Sequence, residues 1–454
     1  MTSRGSGIWL PAVWVVLFVA ILIMPGAVAL AKPTQEGPSV LTLEQSIDMA
    51  LERNLDIHIA REEVLAAQER KKETTTAFLP SLRAEYNYRR PSEVPYIVIQ
   101  DQRIDVADED QYHFTGTVEQ PLFTGFANLS NYQLAKLGLD VAKIQLTQAR
   151  FDLILQVKEA YFEILTAERI KEVAEQSVEQ LQAELKTAQD FYDVGMSPKI
   201  DVLDAEVRLA EAEQQLIRTQ NALRIAKATF NTILRRPVDQ EVAVKDILSY
   251  KPFAQPYASC LELALKSRPE LMEAEKNVAS AEKEITLAKS AYYPYVSLSS
   301  NYYRAGDEPN VDGSEFEDRE NWDIMAVASI TFFEWGKTRF AANQKRARLR
   351  QAQEAVEQIE DAVRLDVKTS YLNLQTAAEN ISVAEKGVGS AEENFRISKE
   401  RYREQVATAT EVLDAQTRLT EAKTNYTSTL AEFNVAKARL IRAMGVEDAS
   451  QGDH

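Results

Sequence analysis

The stretch Ile200-Asp201-Val202-Leu203-Asp204-Ala205 returns later in the chain as Thr410-Glu411-Val412-Leu413-Asp414-Ala415. The two aspartates that follow leucine stand 210 residues apart, and the same spacing separates Tyr192 from Tyr402. The chain is therefore a tandem duplication of one unit. A repeat of this kind decides the architecture before any local pattern does.

Composition excludes several classes of protein. The 454-residue chain carries a net charge of -17, which argues against nucleic acid as a partner because phosphate binding needs clustered basic residues. A single cysteine, Cys260, excludes internal disulfides. The histidines are scattered at His58, His113 and His454, so we expect no metal site and no cofactor.

Residues 1–31 read as a targeting segment. Arg4 precedes an apolar run over 8–24, and small residues follow at 27–29, which is typical of a cleavable secretory signal. A transmembrane anchor is the alternative, since 17 residues is the lower limit of spanning length. After Lys32 no apolar run is long enough to cross a bilayer as a helix. We therefore expect any membrane insertion to be made by strands.

The predicted elements follow the duplication. The first repeat is expected over 32–256 and the second over 257–445, before a flexible tail at 446–454. In the first repeat we predict a helix over 42–78, strands over 82–90 and 111–123, a long helix over 126–194, a helix over 199–235 and a waist linker over 237–257. In the second we predict a helix over 259–291, strands over 295–303 and 322–333, a long helix over 337–404 and a helix over 409–443.

The strands have the length and pattern of a transmembrane barrel. Apolar and polar residues alternate over 82–89, and each strand has about ten residues, enough to cross a bilayer at a tilt. Trp322 and Trp335 bracket the fourth strand, where aromatic residues would lie at the two membrane interfaces. A small soluble sheet with one buried face is the alternative for each strand alone.

The helices indicate a columnar body. No proline occurs between Gly125 and Pro198, and apolar residues there follow coiled-coil spacing. Each long helix would be near 105 Å, about twice the length of a shorter one. Short helices are therefore expected to stack in pairs beside a long one. Because four strands leave two open edges, which a membrane does not tolerate, we expect an oligomer whose copy number the sequence does not give.

These features together resemble the TolC-like outer-membrane factor family, also called the outer membrane efflux protein family. The resemblance rests on Pro80 and Pro294, on Gln120-Pro121-Leu122-Phe123-Thr124-Gly125 and on the duplicated tips, and it covers 41–445. It implies a mainly α fold with a four-stranded transmembrane β contribution, in which a long coiled-coil helical barrel joins a β-barrel completed by trimerisation.

The resemblance also implies a function. A homotrimer in outer-membrane lipid, with a helical tunnel in the periplasm, would dock to a periplasmic adaptor and to an inner-membrane pump or ABC transporter. It would serve as the passive export duct of a tripartite efflux or type I secretion system, and it would not be an enzyme. A secreted envelope coiled-coil protein, such as an adhesin stalk, is the alternative, although the alternating strands count against it.

The resemblance finally implies a channel gate at the helix tips. Glu411 and Asp414 of the second repeat match acidic residues that ring the narrow point, and Tyr402 and Asp201 match a closing contact. Asp204 occupies the position equivalent to Asp414 in the first repeat.

The tips also depart from the family pattern. An arginine that helps latch the tip is replaced by Ala407, its threonine partner is replaced by Ile200, and Gln405 stands where the first repeat keeps Gly195. Helix capping is the alternative role of the acids, because Asp201 lies in a first turn and Thr408 with Glu411 fits a capping box.

Overall fold

A computed structural model describes residues 40–447. The predicted signal at 1–31 and the tail from 448 onwards lie outside the described residues. Among residues 40–447, no helix has the length and apolarity needed to cross a membrane.

The described chain is mainly helical and repeats itself. Its helices are α1 (Leu43–Arg53), α2 (Leu55–Thr76), α3 (Ala127–Asp193), α4 (Lys199–Ile233), α5 (Tyr257–Ser267), α6 (Pro269–Lys289), α7 (Lys337–Arg403) and α8 (Ala409–Ala443). The long helices α3 and α7 have 67 residues each, and α4 and α8 have 35 each. At 1.5 Å per residue the long helices measure about 100 Å. The predicted mainly α, duplicated architecture is confirmed.

The helices pack as two hairpins that meet along one seam. Helix α3 packs against α4 and α7 packs against α8, so each repeat forms its own antiparallel pair. Helix α3 also packs against α6 and α8 of the second repeat. The two short helices α6 and α8 therefore lie one after the other along a single long helix, as their lengths predicted.

The single helix predicted over 42–78 is wrong, because it is broken at Asn54. This residue is extended (φ -68°, ψ 136°), ending α1 and beginning α2. Its side-chain oxygen accepts from the Asp56 backbone N–H at 2.8 Å, and its amide donates to the Ile233 carbonyl at 3.4 Å. The bend is therefore stabilised both as a helix cap and as a contact with the end of α4.

The helix predicted over 259–291 is wrong in the same way. Arg268 is extended and separates α5 from α6, since a residue before proline is disfavoured in the helical region. Pro269 is then the first residue of α6, a position that proline tolerates. The helix also begins earlier, at Tyr257, and α6 ends at Lys289, followed by a short 3-10 turn over Ser290–Tyr292.

The strands of residues 40–447 form three sheets. They are β1 (Val40–Leu41), β2 (Ser81–Arg89), β3 (Tyr96–Ile99), β4 (Gln102–Asp105), β5 (Gln111–Thr124), β6 (Ala243–Val244), β7 (Tyr295–Gly306) and β8 (Glu320–Ser329). The main sheet is antiparallel in the order β2-β5-β7-β8, so β2 and β8 are its two edges. Strand β5 of the first repeat thus pairs with β7 of the second.

Two strand predictions need correction. The fourth strand was predicted over 322–333 but ends at Ser329, because Ser329 pairs with Tyr295, the first residue of β7. The segment between β2 and β5, for which no strand is predicted, contains the β3–β4 hairpin. The waist linker also contains a strand, β6, which pairs in parallel with β1.

The main hydrophobic core lies at this waist. Tyr161 is fully buried there, and its hydroxyl donates to the backbone carbonyl of Lys245 at 2.7 Å and lies 3.1 Å from the carbonyl oxygen of Leu41. Burial raises the pKa of Tyr161 to about 12. The tyrosine therefore holds the β1–β6 pair against α3 from inside the core.

Candidate functional site

The candidate site is the tip, which we define as residues 181–220 and 391–430. Each long helix ends there in the same turn. Gly195 and Gln405 are both left-handed, with φ of 72° and 57°, and each donates its N–H to the carbonyl of the matching tyrosine, Tyr192 or Tyr402, at 3.0 Å. Glycine adopts this conformation freely, whereas glutamine pays a steric cost of about 1 kcal/mol.

The two short helices start differently. Helix α4 begins after Pro198, with no side-chain cap. Helix α8 begins with a complete capping box, in which Thr408 accepts from the Glu411 N–H and Glu411 accepts from the Thr408 N–H, both at 3.3 Å. Glu411 also lies 3.6 Å from Arg401. The capping role weighed for Glu411 is therefore present in the structure.

The repeated leucine has two environments. Leu413 is 3% exposed and packs with Leu181 and Ala188 of α3, whereas Leu203 is 43% exposed. The neighbouring valine and alanine of each copy, in contrast, are buried in both. The motif of the second tip is covered by the first tip, whereas the motif of the first tip has one face that no part of residues 40–447 covers.

The repeated aspartates differ as well. Asp414 Oδ1 lies 3.2 Å from the Arg208 guanidinium of α4, which ties the two repeats together. Asp201 and Asp204 share one turn of α4, and the pKa of Asp201 is raised, first by burial and then by the charge of Asp204. Asp414 is thus in an ion pair with the other repeat, whereas Asp201 and Asp204 repel each other.

Tyr402 is buried between the two hairpins. It packs with Ala409 and Val412, and its ring lies 5.5 Å from that of Phe191. Burial, with the charges of Asp201 and Glu184, raises its pKa. Asp201 is therefore close enough to act on Tyr402 through its charge, but among the described residues the Tyr402 hydroxyl has no hydrogen-bond partner, so Asp201 accepts no hydrogen bond from it.

Sequence reasoning missed two basic residues of the tip. Arg208 pairs with Asp414, and Lys399 of α7 forms an ion pair with the buried Glu184 of α3. Both pairs join residues more than 200 positions apart. Since no short-range spacing brings such residues together, only a model of how the repeats pack could have indicated them.

The two candidate interface aromatics lie at different kinds of position. Trp322 is in β8, opposite Tyr302, and is 68% exposed. Trp335 lies beyond the strand, just before α7, is 85% exposed and stacks edge-on against Phe333 with ring centroids 4.9 Å apart. They remain candidates for the membrane interfaces.

A four-stranded sheet with two open edges, joined to helix hairpins about 100 Å long, defines the class of outer-membrane channel subunits. The family model described as outer membrane efflux protein matches residues 46–234 and 260–446, one segment in each repeat. The chain belongs to the outer membrane efflux protein family.

Curated relatives agree. Outer membrane efflux protein BepC of Brucella suis biovar 1 is 22% identical over 339 residues, covering 73% of this chain and 70% of its own. Solvent efflux pump outer membrane protein SrpC of Pseudomonas putida is 24% identical over 314 residues, covering 68% and 64%. In a solved structure, the Campylobacter jejuni CmeC outer membrane channel has the same fold, with a TM-score of 0.78 at 15% identity over 94% of this chain and 93% of that one.

The protein is therefore an outer-membrane efflux channel subunit, and the alternative of an envelope stalk is set aside. Its family is one of passive channels and is not an enzyme class.

Proposed function

We propose that three copies of this chain form a closed ring, which serves as a passive duct through the outer membrane and periplasm and is gated at the tip. The observation that supports the ring is a set of junctions that the chain makes only once. Strand β5 pairs with β7, and α3 packs on α6 and α8.

Because the two repeats have the same elements in the same order, we expect the same junctions to form a second time. The counterpart of β5 in the other repeat is β8, and that of β7 is β2. The counterpart of α3 is α7, and those of α6 and α8 are α2 and α4. Within residues 40–447 no comparable contact joins β8 to β2 or α7 to α2 and α4. A neighbouring copy can supply both. Because the same junction then passes from copy to copy, the contact is head-to-tail and generates a ring.

The number three rests on the resemblance and on strand count. Three chains give 12 strands, which is within the range of transmembrane barrels. Each copy places Glu411, Asp414, Asp201, Asp204 and Tyr402 at the tip, where a ring of copies would surround one axis. We propose these residues as the channel gate, with Trp322 and Trp335 at the two membrane interfaces.

The partners follow from the same architecture. A duct without its own energy source needs an inner-membrane pump or ABC transporter, and a periplasmic adaptor to join it. One relative, SrpC, is named as the outer membrane protein of a solvent efflux pump. The exposed tip turns at 194–198 and 404–408 form the end of the helical body at which such partners would meet it.

The ring is tested by native mass spectrometry of the detergent-extracted protein, which should give three chains per particle. Leu203→Glu with Ile217→Glu should release monomers, since both residues are exposed in the single chain while their counterparts Leu413 and Thr427 are buried.

Ile200→Glu is the matched control, because its counterpart Thr410 is exposed and this position should not face a neighbouring copy. A folded wild-type monomer, or dissociation by the control to the same extent, would contradict the proposed ring.

A further inference from the structure

The two acidic residues of the second tip motif each face an arginine of the same chain. Glu411 faces Arg401 at 3.6 Å, and Asp414 faces Arg208 at 3.2 Å. The resemblance implies an acidic ring of two free carboxylates per copy. In this chain each of those carboxylates has an arginine beside it, so neither is a free charge while the two hairpins are packed together.

The two arginines differ in where they come from. Arg401 and Glu411 both belong to the α7–α8 hairpin, and the turn between them keeps them together when that hairpin moves as a unit. Arg208 and Asp414 belong to different hairpins, α3–α4 and α7–α8. Any motion that separates the hairpins must therefore break the second pair and leave the first intact.

The same boundary holds a second pair and an unsatisfied group. Lys399 of α7 pairs with Glu184 of α3, whose side chain is 6% exposed. Within residues 40–447 the buried hydroxyl of nearby Tyr402 has no hydrogen-bond partner. Two ion pairs, and not a tyrosine hydrogen bond, therefore join the hairpins near the end of the tip, and the Thr420 hydroxyl donates to Ser177 of α3 at 3.2 Å further along the same boundary.

We propose that Arg208 is a specificity-determining residue of the channel, which neutralises Asp414 while the hairpins are together and exposes this carboxylate when they separate. The proposal rests on the tip being the gate. Its consequence is that cation preference is a property of the open tip, since a ring of carboxylates selects cations only when its charges are unpaired.

The size of the effect follows from exposure. The Arg208 and Asp414 side chains are 38% and 48% exposed, so solvent screens their attraction. Removing the arginine should shift the opening equilibrium by roughly two- to fivefold per chain. The selectivity of the packed tip should change as well, because Asp414 is then unpaired even while the hairpins are together.

The experiment measures single-channel current and reversal potential in planar bilayers under a KCl gradient. Arg208→Gln should raise the open probability by roughly two- to fivefold, and should raise the cation-to-anion permeability ratio and the Mg²⁺ block of the low-conductance, packed tip by a similar factor, while the permeability ratio of the fully open channel stays as in the wild type. Arg208→Lys should stay near wild type. Asp414→Asn added to Arg208→Gln should abolish the gain in selectivity, and the swap Arg208→Asp with Asp414→Arg should restore closure.

Glu211→Gln is the matched control, because Glu211 also lies 3.3 Å from Arg208 but belongs to the same helix. If the low-conductance, packed tip of Arg208→Gln keeps wild-type selectivity, or if Glu211→Gln changes that selectivity as strongly, the proposal is overturned. Failure of the proposed duct would look different, since the wild-type protein would then give no channels at all.

Discussion

The two tips of this protein share the motif Val-Leu-Asp-Ala and a common turn, yet they are not equivalent. In the second tip the leucine is buried and the aspartate paired with an arginine, whereas in the first tip the leucine is exposed and the aspartate has an acidic neighbour. Val202 and Val412 are buried alike, as are Ala205 and Ala415.

This difference separates two kinds of contact. Valine and alanine pack within each hairpin, so the duplicated sequence buries them in both copies. The leucine and the aspartate face an adjoining hairpin. For the second tip this hairpin belongs to the same chain, whereas no hairpin of the described chain covers the first tip. A position that is buried in one repeat and exposed in the other therefore marks a surface that another copy should cover.

The leucines provide the largest expected effect. Leu413→Ala should lower the free energy of unfolding by about 2–5 kcal/mol at every protein concentration, because it leaves a cavity inside the chain. Leu203→Ala should lower stability only where copies associate, so its effect should grow with protein concentration. Denaturant unfolding followed over a hundredfold range of concentration distinguishes the two. Equal, concentration-independent losses would mean that the tips do not differ in this way.

Sequence alone was sufficient for the repeat, the long helices and the main strands, because the 210-residue spacing and the periodicity are properties of the chain itself. The bend at Arg268 was also readable from Pro269, although we predicted a continuous helix. The bend at Asn54 has no proline, and a helix-capping asparagine within an apolar run is a weak signal. The ion pairs of Arg208 and Lys399 depend on how distant helices pack, which no local pattern contains.

The long helices α3 and α7 differ at two positions where only α7 has glycine. Gly387 and Gly389 of α7 replace Ser177 and Glu179 of α3, and a Cβ at either glycine would meet no atom within 4 Å in this chain. Gly389→Ala should raise the free energy of unfolding by about 1 kcal/mol.

Gly387→Ala should give the same gain in the single chain. Since its counterpart Ser177 is buried against α8, a loss of thermal stability confined to the assembled protein would show that a neighbouring copy packs closely on Gly387. Thermal unfolding of both variants, with and without dissociation of the oligomer, makes this distinction.

The start of each short helix offers a smaller contrast. Thr408→Ala removes the capping box of α8 and should lower the free energy of unfolding by about 1 kcal/mol. Ser197→Ala in the first tip should cost nothing, because the buried Ser197 hydroxyl has no partner among the described residues. Glu411→Gln keeps the box, so it should preserve stability while removing the charge. Circular dichroism melts of the three variants test this, and a loss for Ser197→Ala as large as for Thr408→Ala would contradict it.

The smallest effect concerns Tyr192 and Tyr402, the matching tyrosines of the two repeats. It also separates this chain most sharply from its family pattern. Tyr402→Phe removes a hydroxyl that is buried and unpaired, so stability should be unchanged or rise by up to about 1 kcal/mol, and channel opening should not increase. Tyr192→Phe is the control, since Tyr192 is the matching residue of the first repeat and is 40% exposed. The resemblance implies the opposite result, a looser tip after loss of the tyrosine contact. Bilayer recordings decide between them: a rise in conductance for Tyr402→Phe alone would show that the hydroxyl does hold the tip, whereas unchanged opening would leave the hairpins joined by Arg208 and Lys399.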